Sequence, residues 1–96
     1  MFIINITYKV PLEEVDRHLG AHISFLDQQY QAGHFLASGR KVPRDGGIIL
    51  AKGQDREAIS QILNQDPFKI YDLADYDLIE FVPSKVVEPL KSLSLT

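Results

Sequence analysis

From Phe2 to Tyr8 the chain is dense in β-branched and aromatic residues, the pattern of a strand buried on both sides or nearly so. Pro11 then opens a helix at its favoured early position. Glu13, Glu14 and Asp16 follow and suit the positive end of the helix dipole. Val15, Leu19, Ile23, Leu26 and Tyr30 recur at spacings of three and four, which predicts one apolar stripe on a helix of roughly five turns, ended by Gly33. His34 to Lys41 reads as a second strand. Pro43-Arg44-Asp45-Gly46-Gly47 is a turn built on the Asp-Gly hairpin signal, and Gly47 to Lys52 is the third strand. Asp55 is placed to cap a second helix, whose buried stripe is Ala58, Ile59, Ile62 and Leu63 and which Pro67 stops. Leu73 to Val82 alternates apolar and polar positions and is the fourth strand, closed by Pro83. Ser84 to Thr96 forms a tail with apolar positions at Val86, Val87, Leu90, Leu93 and Leu95, expected to pack on a dimer.

The order β-α-β-β-α-β predicts an α+β, ferredoxin-like sandwich: an antiparallel sheet with two helices on one face. Strands one, three and four are too apolar for the other face to stay wet. A second copy is the simplest cover, through residues such as Ile4, Ile6, Ile49 and Phe81. The chain has 96 residues, room for a single domain over 1–96 with its folded core in 1–83. A core this thin gains from pairing, so a homodimer is expected.

Charge and composition narrow the function mainly by exclusion. The net charge is −3 and no basic run exists, which disfavours binding to nucleic acid or to an anionic membrane. No stretch approaches the ~20 apolar residues of a membrane span, and the first ten residues lack the basic region of a signal peptide. The expected location is the cytoplasm. The chain has no cysteine, so thiol catalysis, disulfides and cysteine metal sites are excluded.

Two residues stand out as candidates for chemistry. His22 falls inside the apolar stripe of the first helix, where a titratable group is costly without a partner. It is either a core histidine satisfied by a backbone carbonyl or a general acid-base. Asp66 lies at the end of the second helix, where its charge opposes the dipole; Asp-Pro is also a common helix stop. Both helices lie on one sheet face, so an Asp66–His22 pair is geometrically possible. Such a pair would fix the imidazole tautomer. Ser38 and Gly39 on the second strand combine a hydrogen-bond donor with a position that permits close approach of a ligand or of another strand. Arg40, Lys41 and Arg44 gather near the hairpin, as solvated charge or as an attraction for an anionic substrate. Glu14, His18 and His22 share one helix face, but no HExxH glutamate or third ligand accompanies the histidines, so no metal and no cofactor is assigned. His34 reads as a surface residue.

Taken together, the segments HISFLDQQYQAGHFLASGRKVPRDGGIILAKG (22–53), DPF (66–68) and LADYDLIEF (73–81) resemble the YciI-like, or YCII-related, family from the first strand to Pro83. The combination is specific: a helix-one His, an SG on strand two, a PRxGG hairpin and DPF after helix two. One departure is Asp72, where the family pattern favours a small residue, often Gly. The resemblance implies a protomer that pairs into a dimeric α+β barrel. It implies that the family's active-site His and Asp fall on His22 and Asp66, with Ser38 and Gly39 lining the same pocket. It also implies kinship with muconolactone-isomerase-like enzymes and a link to dehydrochlorination of hydroxylated aromatics.

Two kinds of function fit. One is a small cofactor-independent enzyme in which His22, oriented by Asp66, moves a proton on a small cyclic or aromatic carbonyl or hydroxy compound, giving isomerisation or elimination. The other is a non-catalytic module that holds a small metabolite, with the His-Asp pair structural. A concave space with His22 exposed to it separates the first from the second.

Overall fold

A computed structural model describes residues 1–53 and 55–95 of the chain. In order, the elements are β1 (Phe2–Tyr8), α1 (Leu12–Arg17), α2 (Leu19–Gln31), β2 (Phe35–Arg40), β3 (Gly46–Ala51), α3 (Arg56–Leu63), α4 (Pro67–Ile70), β4 (Ala74–Glu80) and a terminal 3₁₀ segment (Glu88–Leu95). The strands form one sheet in the order β2-β3-β1-β4, with every neighbouring pair antiparallel. This is the ferredoxin-like arrangement expected from the element order.

Strand alternation assigns the two faces of this sheet. Phe2, Ile4 and Ile6 of β1 are buried, as are Ile49 and Ala51 of β3, and they join Phe25, Phe35, Ile59 and Leu63 in the main core under the helices. Here the structure corrects the sequence expectation about the other face. Ile4, Ile6 and Ile49 do not await a second copy, because they already pack beneath helices of their own chain. The uncovered face carries their alternates: Ile3 of β1, Ile48 and Leu50 of β3, and Ile79 of β4, which lie opposite one another across the strands. Ile48, Ile79 and Phe81 are more than a third exposed. Asn5 and Thr7 alternate with the buried Ile4 and Ile6, but the apolar Ile3 on the outer side blurs that alternation in FIINITY.

The first helix also departs from the single stripe. It breaks at His18, whose φ of −108° and ψ of 5° leave the helical region, and α2 starts on a new phase. The buried residues of α2 are His22, Phe25 and Gln29, whereas Ile23 and Tyr30 are exposed. On α3 the expectation holds. The Asp55 side chain caps it by accepting from the Ala58 N–H at 2.7 Å, and Ile59 and Leu63 are buried. The hairpin glycines differ in what they do. At Gly46 a Cβ would lie 1.8 Å from the Ile6 carbonyl oxygen, so only glycine lets β3 come this close to β1.

In the tail, Pro83 is buried and Val86 half-buried, and Val87 and Leu90 are exposed on the single chain. The Leu93 and Leu95 side chains and Thr96 lie outside the described residues.

Candidate functional site

Asp66 is the structural centre of the site. Its backbone follows the end of α3, as the sequence indicated, but its side chain serves the next helix. It is the N-cap of α4, with Pro67 in the first turn, and its Oδ1 accepts the Phe68 N–H at 3.1 Å. The carboxylate therefore sits at the favourable, positive end of a helix rather than opposing one. Asp66 is wholly buried. A buried carboxylate is costly unless its lone pairs are filled, and here they are. The His22 Nδ1–H donates to Oδ1 at 2.7 Å and the Tyr76 hydroxyl donates to Oδ2 at 2.5 Å.

Tyr76 is the residue that sequence analysis missed. In ADYDLIE its alternation marks it only as an inward residue of β4. The usable signal was chemical: a tyrosine turned into a core needs a partner for its hydroxyl. Burial pushes its phenol well above the ordinary tyrosine value, and the neighbouring Asp66 charge pushes the same way, so the hydroxyl stays a donor. Phe68 completes the setting. Its ring stacks on the His22 imidazole, centroids 4.0 Å apart and planes within 5°, and fixes the plane in which that imidazole lies.

His22 therefore has one nitrogen committed and one free. Nδ1 is bound to Asp66, which places the proton of a neutral ring on Nδ1 and leaves Nε2 as the acceptor. No partner holds Nε2 among the described residues. The ring keeps 11% of its side-chain surface open and lines a cleft of about 530 Å³ between α2 and the β2–β3 side of the sheet. Leu19, Ile23 and Leu26 form the helix wall of that cleft. Part of the predicted stripe thus faces an open space instead of the core, which accounts for the exposure of Ile23.

Ser38, Gly39 and Arg40 line the same cleft from β2. The Ser38 hydroxyl is shared with the Tyr30 hydroxyl at 2.7 Å. Gly39 would meet nothing within 4 Å if it carried a Cβ, so the chain's own packing does not demand glycine there. Of the sequence-stated candidates, then, His22, Ser38, Gly39 and Arg40 share one space, and Asp66 lies sealed behind His22 and can act only through it. The remaining candidates disperse. Glu14 pairs with Arg17, and the His18 ring stacks on Tyr71 at 4.3 Å, away from the His22–Asp66 pair. His34 is half-buried and bonds Gln29 at 2.7 Å. No cluster of three potential metal ligands forms among the described residues.

Asp72 adopts a left-handed backbone with φ of 57°, which accounts for the preference for glycine at this point of the fold. Aspartate tolerates that region better than most residues. Its charge is met by Lys9 at 2.5 Å, and Lys9 also reaches Asp75 at 3.3 Å.

The fold and the site together define an α+β protein of ferredoxin-like topology with a buried Asp–His pair opening on a small-molecule-sized cleft. The chain belongs to the YCII-related family, whose domain model matches residues 1–82. No curated protein matches it significantly. Among solved structures it is similar to the 5-chloro-2-hydroxyhydroquinone dehydrochlorinase of Burkholderia phenoliruptrix, determined in complex with 2,5-dihydroxybenzoquinone. The TM-score is 0.70 and the identity 13%, and the match covers 84% of this chain and 93% of that one. At that identity the likeness is one of fold. Among the described residues, no helix is long and apolar enough to cross a membrane.

Proposed function

We propose that the protein is a small enzyme that moves a proton on a cyclic or aromatic carbonyl or hydroxy compound, with His22 as the proton carrier and Asp66 as its positioning residue. One observation carries this reading: the His22 ring is bound through Nδ1 to a sealed carboxylate, and the same residue lines an open cleft. A merely structural pair would be closed on both sides. Nε2 accepts a proton from a C–H or O–H of the bound compound. The imidazolium so formed is stabilised by Asp66 and returns the proton elsewhere on the same molecule, or the substrate expels a leaving group. The dehydrochlorinase of the same fold, with a quinone bound, is in keeping with ring compounds of this size. Wild-type protein screened against such compounds should turn one of them over. His22→Ala should abolish that turnover, and Asp66→Asn should leave a residue of it, because an orienting group contributes less than the proton carrier. Full activity in His22→Ala overturns the proposal.

A homodimer belongs to the same reading. The uncovered sheet face presents Ile3, Ile48, Leu50, Ile79 and Phe81. Asn5 lies among them, its Oδ1 buried without a hydrogen-bond partner. A second copy laid against this face would remove the apolar area from water. Sedimentation at micromolar concentration should give a dimer mass, and Ile79→Asp should shift it to the monomer. A monomeric wild type overturns this part.

A further inference from the structure

The three cations that flank the hairpin do not have equal standing. Arg44 lines the cleft but is matched: its guanidinium binds Asp16 at 2.5 Å. Lys41 donates to the Thr7 hydroxyl at 3.1 Å, on the opposite face of the sheet. Arg40 lines the cleft with no ion-pair or hydrogen-bond partner among the described residues. Its neighbours around the space are the apolar wall of α2, Ile49 of β3 and the Arg44–Asp16 pair. An unmatched guanidinium beside such walls attracts an anion, because low-dielectric surroundings focus its field.

We propose that the cleft takes a small monoanion, a ring compound bearing a carboxylate or an ionised acidic hydroxyl, and that Arg40 selects for its charge. This rests on the reading of His22 as the proton carrier of the same cleft and adds the class of substrate. The pocket supplies one apolar wall for a ring, one unmatched cation for one negative charge, and one free imidazole nitrogen for the proton. A dianion such as a phosphate ester is not matched, since the second arginine is already satisfied and the Asp16 carboxylate beside it repels further negative charge. The planar fork of a guanidinium fits a carboxylate with two parallel bonds and a ring oxyanion with one.

The test uses matched pairs of probes that differ in charge. Benzoate is titrated against benzamide, and 4-nitrophenolate against 4-nitroanisole, by NMR on the intact protein at a pH above the probes' own pKa values. At least one anion should bind roughly tenfold more tightly than its neutral counterpart, the worth of one charge-assisted hydrogen bond. A preference confined to benzoate assigns a carboxylate substrate, and one confined to 4-nitrophenolate an acidic ring hydroxyl. Arg40→Gln should erase the preference without weakening the neutral probes. Arg40→Lys should keep part of it, and Lys41→Gln should keep all of it. Arg40 is exposed, so none of these changes threatens the fold. Equal binding of anion and neutral probe, no binding by any probe, or a preference that survives Arg40→Gln overturns the proposal. The outcome is separable from that of the acid-base reading. Charge preference lost with His22-dependent turnover intact sinks only the substrate class, and turnover retained in His22→Ala with the preference intact sinks only the chemistry.

Discussion

The two sides of the His22 ring are built on opposite terms. On the inner side Asp66 is sealed, every nearby donor is aimed at it, and Phe68 stacks on the ring. On the outer side Ser38, Gly39 and Arg40 stand on an exposed strand. The inner side resists change, because each of its polar atoms is desolvated and each removal orphans a partner. The outer side tolerates change in stability terms and concentrates its cost in binding. A proton carrier needs both: one nitrogen held still, the other reachable.

The sharpest way to break this contrast is to empty its inner half. Asp66→Ala removes the acceptor of the His22 Nδ1–H, the Phe68 N–H and the Tyr76 hydroxyl together. Breaking a buried hydrogen-bonded carboxylate in this way costs about 3–5 kcal/mol. Urea unfolding of the variant measures it. A loss below about 1 kcal/mol would mean that these contacts are not a network of buried bonds.

Tyr76→Phe probes the same side more gently and adds a pH signature. Losing one hydroxyl from a buried carboxylate should cost about 1–2 kcal/mol at neutral pH. The phenol of the folded protein is held protonated, first by burial and then by the Asp66 charge, far above its ordinary value of 10.0. The unfolded chain releases that proton once pH passes its own pKa, while the folded chain still binds it. The unfolded state then binds fewer protons, and stability falls as pH rises. Below pH 10 the contribution of this hydroxyl is fully present. Above it the contribution should decline by at most about 1.4 kcal/mol per pH unit, and Tyr76→Phe should flatten that part of the decline. Parallel alkaline stability curves for the two proteins would show that Tyr76 is not held in this way.

How much of this was legible in the sequence follows the same division. The element order, the Asp55 cap and the buried stripe of α3 could be read because periodicity and capping are local. The helix-one histidine, Asp66 and the Ser38-Gly39 pair could be named because their types are unusual in their places. Three things were not local. The phase slip at His18 comes from a backbone break that no residue in VDRHLGAH announces, and it moved Ile23 from core to cleft wall. The inward residues of β1 are set by which face the helices cover, and with Ile3 apolar on the outer side the short Asn5–Thr7 alternation does not settle that. Tyr76 reaches Asp66 across the fold, ten residues on in sequence, through a hydroxyl that a hydropathy pattern counts as nothing.

The smallest effect is the one that tests the outer side, and it compares two glycines. Gly46 is glycine because the backbone of β1 occupies the space a side chain would need, 1.8 Å away. Gly39 has no such neighbour within 4 Å. Glycine in a strand is intrinsically worse than alanine by roughly 0.5–1 kcal/mol, so a glycine kept without a steric reason is a cost to the fold. Gly39→Ala should therefore leave stability unchanged or raise it by up to about 0.5 kcal/mol. Gly39 lies opposite Ile48, so the added methyl projects onto the uncovered face and not into the cleft, and benzoate affinity should stay at its wild-type value with the melting temperature held. Thermal melts and probe titrations on the same samples read both quantities. If Gly39→Ala instead lowers stability by more than about 1 kcal/mol, that glycine serves the fold after all, and the outer side is not the free surface described here.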